Sequence, residues 1–424
     1  MQFVIQTGGK GSRLKKITKG EAKPLVRINN KRLIDIQIAN LKKYKFNKII
    51  ILNNEKYQSL EVYLKKKYGN IFQFFNEKKP LGTGGALKFL KDIKKKTFIM
   101  IYGDLVFDFN FKKLLNFHNK NNSDLTLVAH PNSHPHDSDI IVANKHNKII
   151  NFYKKPHIKK NIGNLCLAGI CVFNKKILKD IKNNKFQDFS KNIISKLIKK
   201  KHKICAYRTR EYIKDAGTIE RIKDIKQDMK NKKLSKLNIQ KKMPAIFLDK
   251  DGVLNQELYN KKYQNIKFIL PNIEKTIKKI NDKNFLSVVV TNQPAIAKGF
   301  VKESKVLEDF RYLETYLGFR GAYLDKIYYC PCHPEKGFKG EIKKYKRNCN
   351  WRKPNNGMIK KAERDLNINL SKSLMIGDRF EDYMAAKKSN LKFYFVGNYC
   401  KIKNVKNFKN LNSAVTYFFS KTKK

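Results

Sequence analysis

Short apolar runs recur along this chain at intervals that helix-length amphipathic stretches fill. In the first half they fall at residues 3–6 (FVIQ), 48–53 (KIIILN), 98–104 (FIMIYGD) and 125–130 (LTLVAH). Beyond Pro244 they return at residues 245–249 (AIFLD), 287–292 (SVVVTN), 373–378 (SLMIGD) and 392–397 (KFYFVG). Apolar runs this short, with little alternation, mark strands covered on both faces, and the stretches between them supply the covering helices. The pattern predicts an α/β protein of two Rossmann-like domains with mostly parallel sheets. Residues 226–243 are charged and contain no strand run, so the expected division is 1–235, a linker at 236–243, and 244–424.

Composition adds less than its loudest number suggests. The net charge is +58, from 93 Lys and Arg against 35 Asp and Glu, which would fit a nucleic-acid binder. The lysines are spread evenly, however, and Asn and Ile are similarly abundant, so the charge reads as a codon-level bias with no nucleic-acid partner implied. A positive field of this kind also draws in phosphorylated substrates. Seven cysteines at irregular spacing do not form a secreted disulfide framework, and no apolar run is long enough to span a membrane. A cytoplasmic enzyme acting on small molecules, with no membrane partner, is the expectation; the oligomeric state is left open.

The first candidate site opens directly after the first strand, at Gly8, Gly9, Lys10, Gly11, Ser12 and Arg13. A glycine-rich turn at a strand end exposes backbone N–H groups to a polyphosphate, and Arg13 adds a charged fork. Lys23 and Pro24 follow. Gly82 and Thr83, within a second small-residue segment, suit close contact with a base or ribose. Asp104 ends a buried strand and Asp215 precedes a glycine turn, and two such acids can share one Mg²⁺.

Together these segments resemble the sugar-nucleotide pyrophosphorylase (nucleotidyltransferase) family over about residues 1–225. The resemblance implies that Arg13 and Lys23 contact the triphosphate and that Gly8, Gly9, Gly11 and Ser12 cradle it. It places Gly82 and Thr83 at the nucleoside, Lys155 at the sugar phosphate, and Asp104 and Asp215 on the metal. Two positions depart from the family's pattern: Thr7 stands where alanine is usual, and Lys154 replaces a glutamate that contacts the sugar.

The second candidate site begins at Asp249 and Asp251, whose side chains point the same way in extended chain. Two acids this close fit a nucleophile that also binds Mg²⁺, paired with a general acid and base. Thr291 and Asn292 suit a transferring phosphate, Arg352 and Lys353 offer cations, and Asp378 and Asp382 suit Mg²⁺. The ordered set resembles the haloacid dehalogenase-like phosphatases, in the D,D-heptose 1,7-bisphosphate phosphatase and histidinol-phosphatase branch. That implies Asp249 as nucleophile, Asp251 as acid and base, Thr291 and Lys353 at the phosphate, and Arg352 in substrate selection. Asp249, Asp251 through its carbonyl, and Asp378 would hold Mg²⁺. The branch also carries a structural Zn²⁺, for which Cys330, Cys332, His333 and Cys349 are the candidate ligands here.

The two resemblances meet in one expectation. The chain is a bifunctional enzyme of nucleotide-activated heptose synthesis, joining a D-glycero-D-manno-heptose 1,7-bisphosphate 7-phosphatase to a heptose 1-phosphate guanylyltransferase. Its substrates would be a sugar phosphate and a nucleoside triphosphate. The alternatives keep both reactions on a mannose or hexose phosphate, or leave one domain inactive.

Overall fold

A computed structural model describes residues 1–9, 12–18, 20–157, 161–256, 269–397 and 402–422. Gly11, one of the expected phosphate-cradling glycines, and Cys400 lie outside the described residues, and nothing is said of the Ser12 side chain. The chain forms two compact units. The first comprises residues 1–130, 138–155 and 165–239; the second comprises 131–137, 156–164 and 240–424.

All eight apolar runs are strands, each within about a residue or two of the expected bounds. Seven strands of the first unit's nine-stranded sheet lie in the order Ile149–Tyr153, Ile140–Ala143, Leu165–Asn174, Thr97–Tyr102, Phe3–Gln6, Ile49–Asn54 and Phe72–Glu77. Leu125–Pro131 attaches beside Leu165–Asn174, and Ile204–Arg208 pairs with Leu125–Pro131 in turn. The sheet is mixed. Its half around Phe3–Gln6 is parallel, whereas Leu165–Asn174 runs antiparallel to Thr97–Tyr102. The expected α/β architecture is present, and the strand directions add a detail that period and apolarity do not carry, since they reveal a buried strand but not its direction.

Residues three to six show why continuous apolar runs were needed. Phe3 and Ile5 pack into one core with Ile49, Ile51, Ile99 and Ile101. Val4 faces the opposite core with Ile50, Leu52 and Met100. Side chains alternate across the sheet, so both faces must be apolar to be covered.

The second unit holds a six-stranded, wholly parallel sheet. Its order is Lys326–Cys330, Leu286–Asn292, Ala245–Leu248, Leu374–Gly377, Lys392–Val396 and Lys406–Phe408. The helix Ile273–Asp282 covers it with Ile273, Thr276, Ile277 and Ile280, the one-sided spacing of a surface helix. Turns across both units use asparagine heavily: nine of the eleven non-glycine residues recorded with positive φ are Asn, including Asn272, Asn367 and Asn390. Among the described residues no helix is long and apolar enough to cross a membrane.

Two candidate active sites

In the first unit a cavity of about 470 Å³ opens at the end of strand Phe3–Gln6. Gly8, Gly9, Arg13, Lys23, Gly82, Thr83, Asp104 and Gly217 line it, so residues from five separate segments of the sequence converge. Gln6 holds the two glycine-rich segments together by donating from Nε2 to the Thr83 carbonyl at 2.5 Å. The Thr7 hydroxyl is within hydrogen-bonding distance of the Leu52 carbonyl (3.1 Å) and Asn53 Oδ1 (3.0 Å). This threonine therefore ties the strand end to its neighbour, which an alanine could not do. Glu77 sits beneath the loop, and a Cβ on Gly8 would stand 2.6 Å from its Oε1. Burial raises the Glu77 carboxyl above its usual range.

The two expected metal acids are adjacent in the fold. Leu105–Asp108 pairs antiparallel with Tyr212–Asp215, and the Ala216 N–H donates to the Asp104 carbonyl at 2.8 Å. Each carboxylate already has a cation. Lys23 Nζ lies 2.6 Å from Asp104, and Arg221 grips Asp215 at 2.6 and 2.5 Å. Burial pushes the Asp215 carboxyl up, but Arg221, Lys23 and Arg13 outweigh it and hold the group low. The acids suit Mg²⁺, which would have to share them with these side chains. Arg221 was missed in the sequence; it lies on the helix Ile219–Lys230, with no motif to mark it. Lys155 is exposed, with its N–H bonded to Asp139, and does not line the cavity. Lys154 Nζ instead donates to the Lys191 carbonyl at 2.6 Å.

In the second unit the chemistry collects at the carboxyl ends of three adjacent parallel strands, where ligands of open α/β sheets bind. Asp249 follows Ala245–Leu248, Thr291 lies near the end of Leu286–Asn292, and Asp378 follows Leu374–Gly377. Lys353 is buried among them, 2.7 Å from Asp249 Oδ1 and 2.5 Å from Asp382 Oδ1, with a further bond to the Val290 carbonyl. The Asn292 side chain is engaged by the protein itself. Its amide brackets the Lys353 backbone, donating to the carbonyl and accepting from the N–H, both at 3.0 Å. Successive strand side chains point opposite ways, so the side chains of Thr291 and Asn292 aim at different spots.

Asp249, Asp378 and Asp382 offer oxygens within 4.8 Å of one another. One oxygen of each is buried without a hydrogen bond, although two of the three meet Lys353 as ion pairs. Burial, then the neighbouring acids, raises Asp378 to about 8. Burial likewise raises Asp249 to about 6 against the opposing pull of Lys353. Three acids facing one ammonium form a donor set that fits Mg²⁺. Gly252 adjoins it with φ +81°, and a Cβ there would overlap Asp378 Oδ2. The Asp251 side chain lies outside the trio, bonded to Lys250, Asn255 and Gln293.

The thiols of Cys330, Cys332 and Cys349 also cluster, with 3.8 Å between the sulfurs of Cys330 and Cys349. Tetrahedral Zn²⁺ with bonds of about 2.3 Å sets sulfur–sulfur edges of about 3.8 Å, so the three thiols fit that metal. His333 is not in the cluster; its Nδ1 lies 3.8 Å from Glu335.

These two sites agree with what the chain is similar to. The profile of the nucleotidyl transferase family matches residues 2–232, and that of the HAD-hydrolase-like family matches residues 350–401. The chain belongs to the nucleotidyl transferase family. It also carries a phosphatase domain of the HAD-like kind, so two enzymes share one polypeptide. The D-glycero-beta-D-manno-heptose-1,7-bisphosphate 7-phosphatase of Yersinia pestis is 37% identical over 150 residues, which are 35% of this chain and 77% of that protein. The protein of the same name from Escherichia coli (strain K12) is 37% identical over 152 residues, 36% of this chain and 77% of that one. Among solved structures, HddC from Yersinia pseudotuberculosis is 25% identical with a TM-score of 0.48, over 54% of this chain and 99% of that one.

Proposed function

We propose that this chain performs two consecutive steps on one sugar. The phosphatase removes the 7-phosphate of D-glycero-D-manno-heptose 1,7-bisphosphate. The nucleotidyltransferase then joins the remaining 1-phosphate to a guanylyl group from GTP and releases pyrophosphate. The observation that carries this is the identity to phosphatases named for that bisphosphate, in a chain that also holds a nucleotidyltransferase. A 7-phosphatase leaves a sugar 1-phosphate, the substrate class that the second enzyme consumes.

In the phosphatase, Asp249 is the nucleophile and Asp251 the acid and base. Lys353 holds Asp249 ionised and offers positive charge to the phosphate, and Thr291 supplies a hydroxyl. Asn292 orients Lys353. Asp249, Asp378 and Asp382 would hold Mg²⁺, with the Asp251 carbonyl as a further oxygen, and the metal's charge would offset that of the acids and the phosphate. Arg352, next in sequence to Lys353, is assigned to substrate selection.

In the transferase, Arg13 and Lys23 neutralise the triphosphate and the backbone of Gly8 and Gly9 cradles it. An oxygen of the sugar 1-phosphate attacks the α-phosphorus in line, and catalysis is mostly alignment and charge compensation. Asp104 and Asp215 would hold Mg²⁺ there. Guanine is favoured by the Glu77 carboxylate in the cavity wall. Of the common bases, guanine alone presents a ring N–H and an amino group side by side as donors.

The test is to incubate the full chain with the heptose bisphosphate, Mg²⁺ and each nucleoside triphosphate in turn, and to weigh the products. A GDP-heptose mass is expected with GTP alone. A nucleotide sugar made from another triphosphate refutes the guanine assignment. No nucleotide sugar with any of them refutes the heptose reading, and a panel of hexose phosphates then takes its place.

A further inference from the structure

Gln293 has no part in the chemistry above, yet it is only 4% exposed and lies between two groups that do. Its Nε2 donates to Asp251 Oδ2 and to Thr291 Oγ1, each at 3.0 Å. Its backbone N–H donates to the Cys330 carbonyl at 2.8 Å, which fixes the residue at the strand end. A carboxamide nitrogen carries two hydrogens, so both side-chain bonds form together without competition.

We propose that Gln293 is a positioning residue of the phosphatase, setting how the Asp251 carboxylate is turned and where the Thr291 hydroxyl points. The inference rests on Asp251 acting as acid and base. A carboxylate has four lone-pair positions. Asp251 Oδ1 receives Lys250 and Asn255, and Oδ2 receives Gln293, so the one position left is on Oδ2. Thr291 is constrained in a complementary way. Its oxygen accepts from Gln293, so its own hydrogen must be donated elsewhere. The partner within reach is the Asn292 carbonyl at 3.4 Å, a long bond that a phosphate oxygen can replace.

The reaction balances around that oxygen. In the first step an Asp249 oxygen bonds to phosphorus, the bond from phosphorus to the sugar oxygen breaks, and the Asp251 Oδ2 proton passes to that oxygen. In the second step a water oxygen bonds to phosphorus, its proton returns to Oδ2, and the bond from phosphorus to Asp249 breaks. One water is consumed, and the alcohol and inorganic phosphate leave. Without the Gln293 amide, Asp251 loses the contact that aims Oδ2, and Thr291 is free to turn its hydrogen away from the phosphate.

Phosphate monoesters of graded leaving-group acidity separate this role from mere packing, because a nitrophenolate departs without a proton and a poorer leaving group needs one. The measurement is kcat/KM for the full chain with Mg²⁺ on p-nitrophenyl phosphate, phenyl phosphate and benzyl phosphate. The wild type should depend weakly on the leaving group, and Asp251→Asn strongly. For Gln293→Met the expected loss is about threefold on p-nitrophenyl phosphate but about tenfold to hundredfold on benzyl phosphate, part of the range typical of general acid catalysis. Gln293→Ala removes the donors without adding a charge beside Asp251; it should behave alike and supplies the answer if the methionine variant does not fold. If Asp251→Asn leaves the dependence unchanged, the role of Asp251 is wrong. If Asp251→Asn steepens it while the Gln293 variants lower every substrate equally, or none, the positioning role is overturned.

Discussion

Replacing Lys353 by methionine removes the single ammonium set against Asp249 and Asp382 while keeping most of the side chain's volume. Each contact, at 2.7 and 2.5 Å, is worth about 6 kcal/mol gross at an effective dielectric of about 20, before the desolvation that opposes it. Removing one partner of a buried ion pair costs about 3–5 kcal/mol net, because the remaining charge is left uncompensated. Here Asp249 and Asp382 are both left without it, so the upper end is expected. Neutralising one of them should restore much of the loss, and Lys353→Met with Asp382→Asn should recover about 2 kcal/mol relative to the single variant. The protein provides its own probe. Trp351 is the only tryptophan in the chain and lies two residues from Lys353, in the second unit. Urea unfolding followed by its fluorescence, in metal-free buffer at neutral pH, reports that unit alone. A shift below about 1 kcal/mol for Lys353→Met would refute the electrostatic account, since an exposed ion pair is worth no more than that. So would a double variant less stable than the single one.

Four further outcomes follow from the same geometry. Asp104→Ala should lower pyrophosphate release to background and leave phosphate release intact; loss of both would contradict separate sites. Gly252→Ala places a Cβ on Asp378 Oδ2 and forces a left-handed backbone, so phosphatase activity should fall at least about a hundredfold, as measured by phosphate release. Glu211 is buried, and burial raises it to about 7 despite bonds from Asn110, Thr209 and Ile239. A carboxyl raised on folding favours the fold below its unfolded value and loses that contribution as pH climbs through about 7. Glu211→Gln should therefore flatten the stability of the first unit between about pH 5 and 8, a difference of about 3 kcal/mol that hydrogen exchange in Leu105–Asp108 can read. If Zn²⁺ is bound, it rests on the three clustered thiols, so His333→Ala should retain it and Cys349→Ser should lose most of it, as measured by metal analysis after dialysis.

Much of this was legible in the residues because the chemistry sits where strands end. An apolar run followed by Asp249 or Asp378 announces both the strand and the group at its tip. The glycine-rich turn after Phe3–Gln6 announces the first cavity in the same way. What was hidden depends on which way side chains and strands turn. Asn292 reads like a phosphate ligand until its alternation with Thr291 is seen to aim it at the Lys353 backbone. Gln293 and Arg221 look like ordinary polar residues, since their importance lies in partners distant in sequence. The antiparallel half of the first sheet is invisible for a related reason: a strand buried on both faces has the same composition in either direction. His333 stands apart from the three thiols, which no spacing in the sequence announces.

The asparagines at left-handed turns bear on how far this protein could be improved. Asparagine tolerates that conformation better than most residues, yet glycine adopts it without a Cβ penalty. A chain whose composition leans so strongly toward Asn fills these corners with the second-best choice. Asn122, Asn284 and Asn390 close the turns after helices, as seen from their bonds back to Asn119, Asn281 and Lys387. Exchanging such residues for glycine one at a time would alter no contact in either active site. The left-handed corners thus form a reserve of thermal tolerance that an engineer could draw on before touching the catalytic parts.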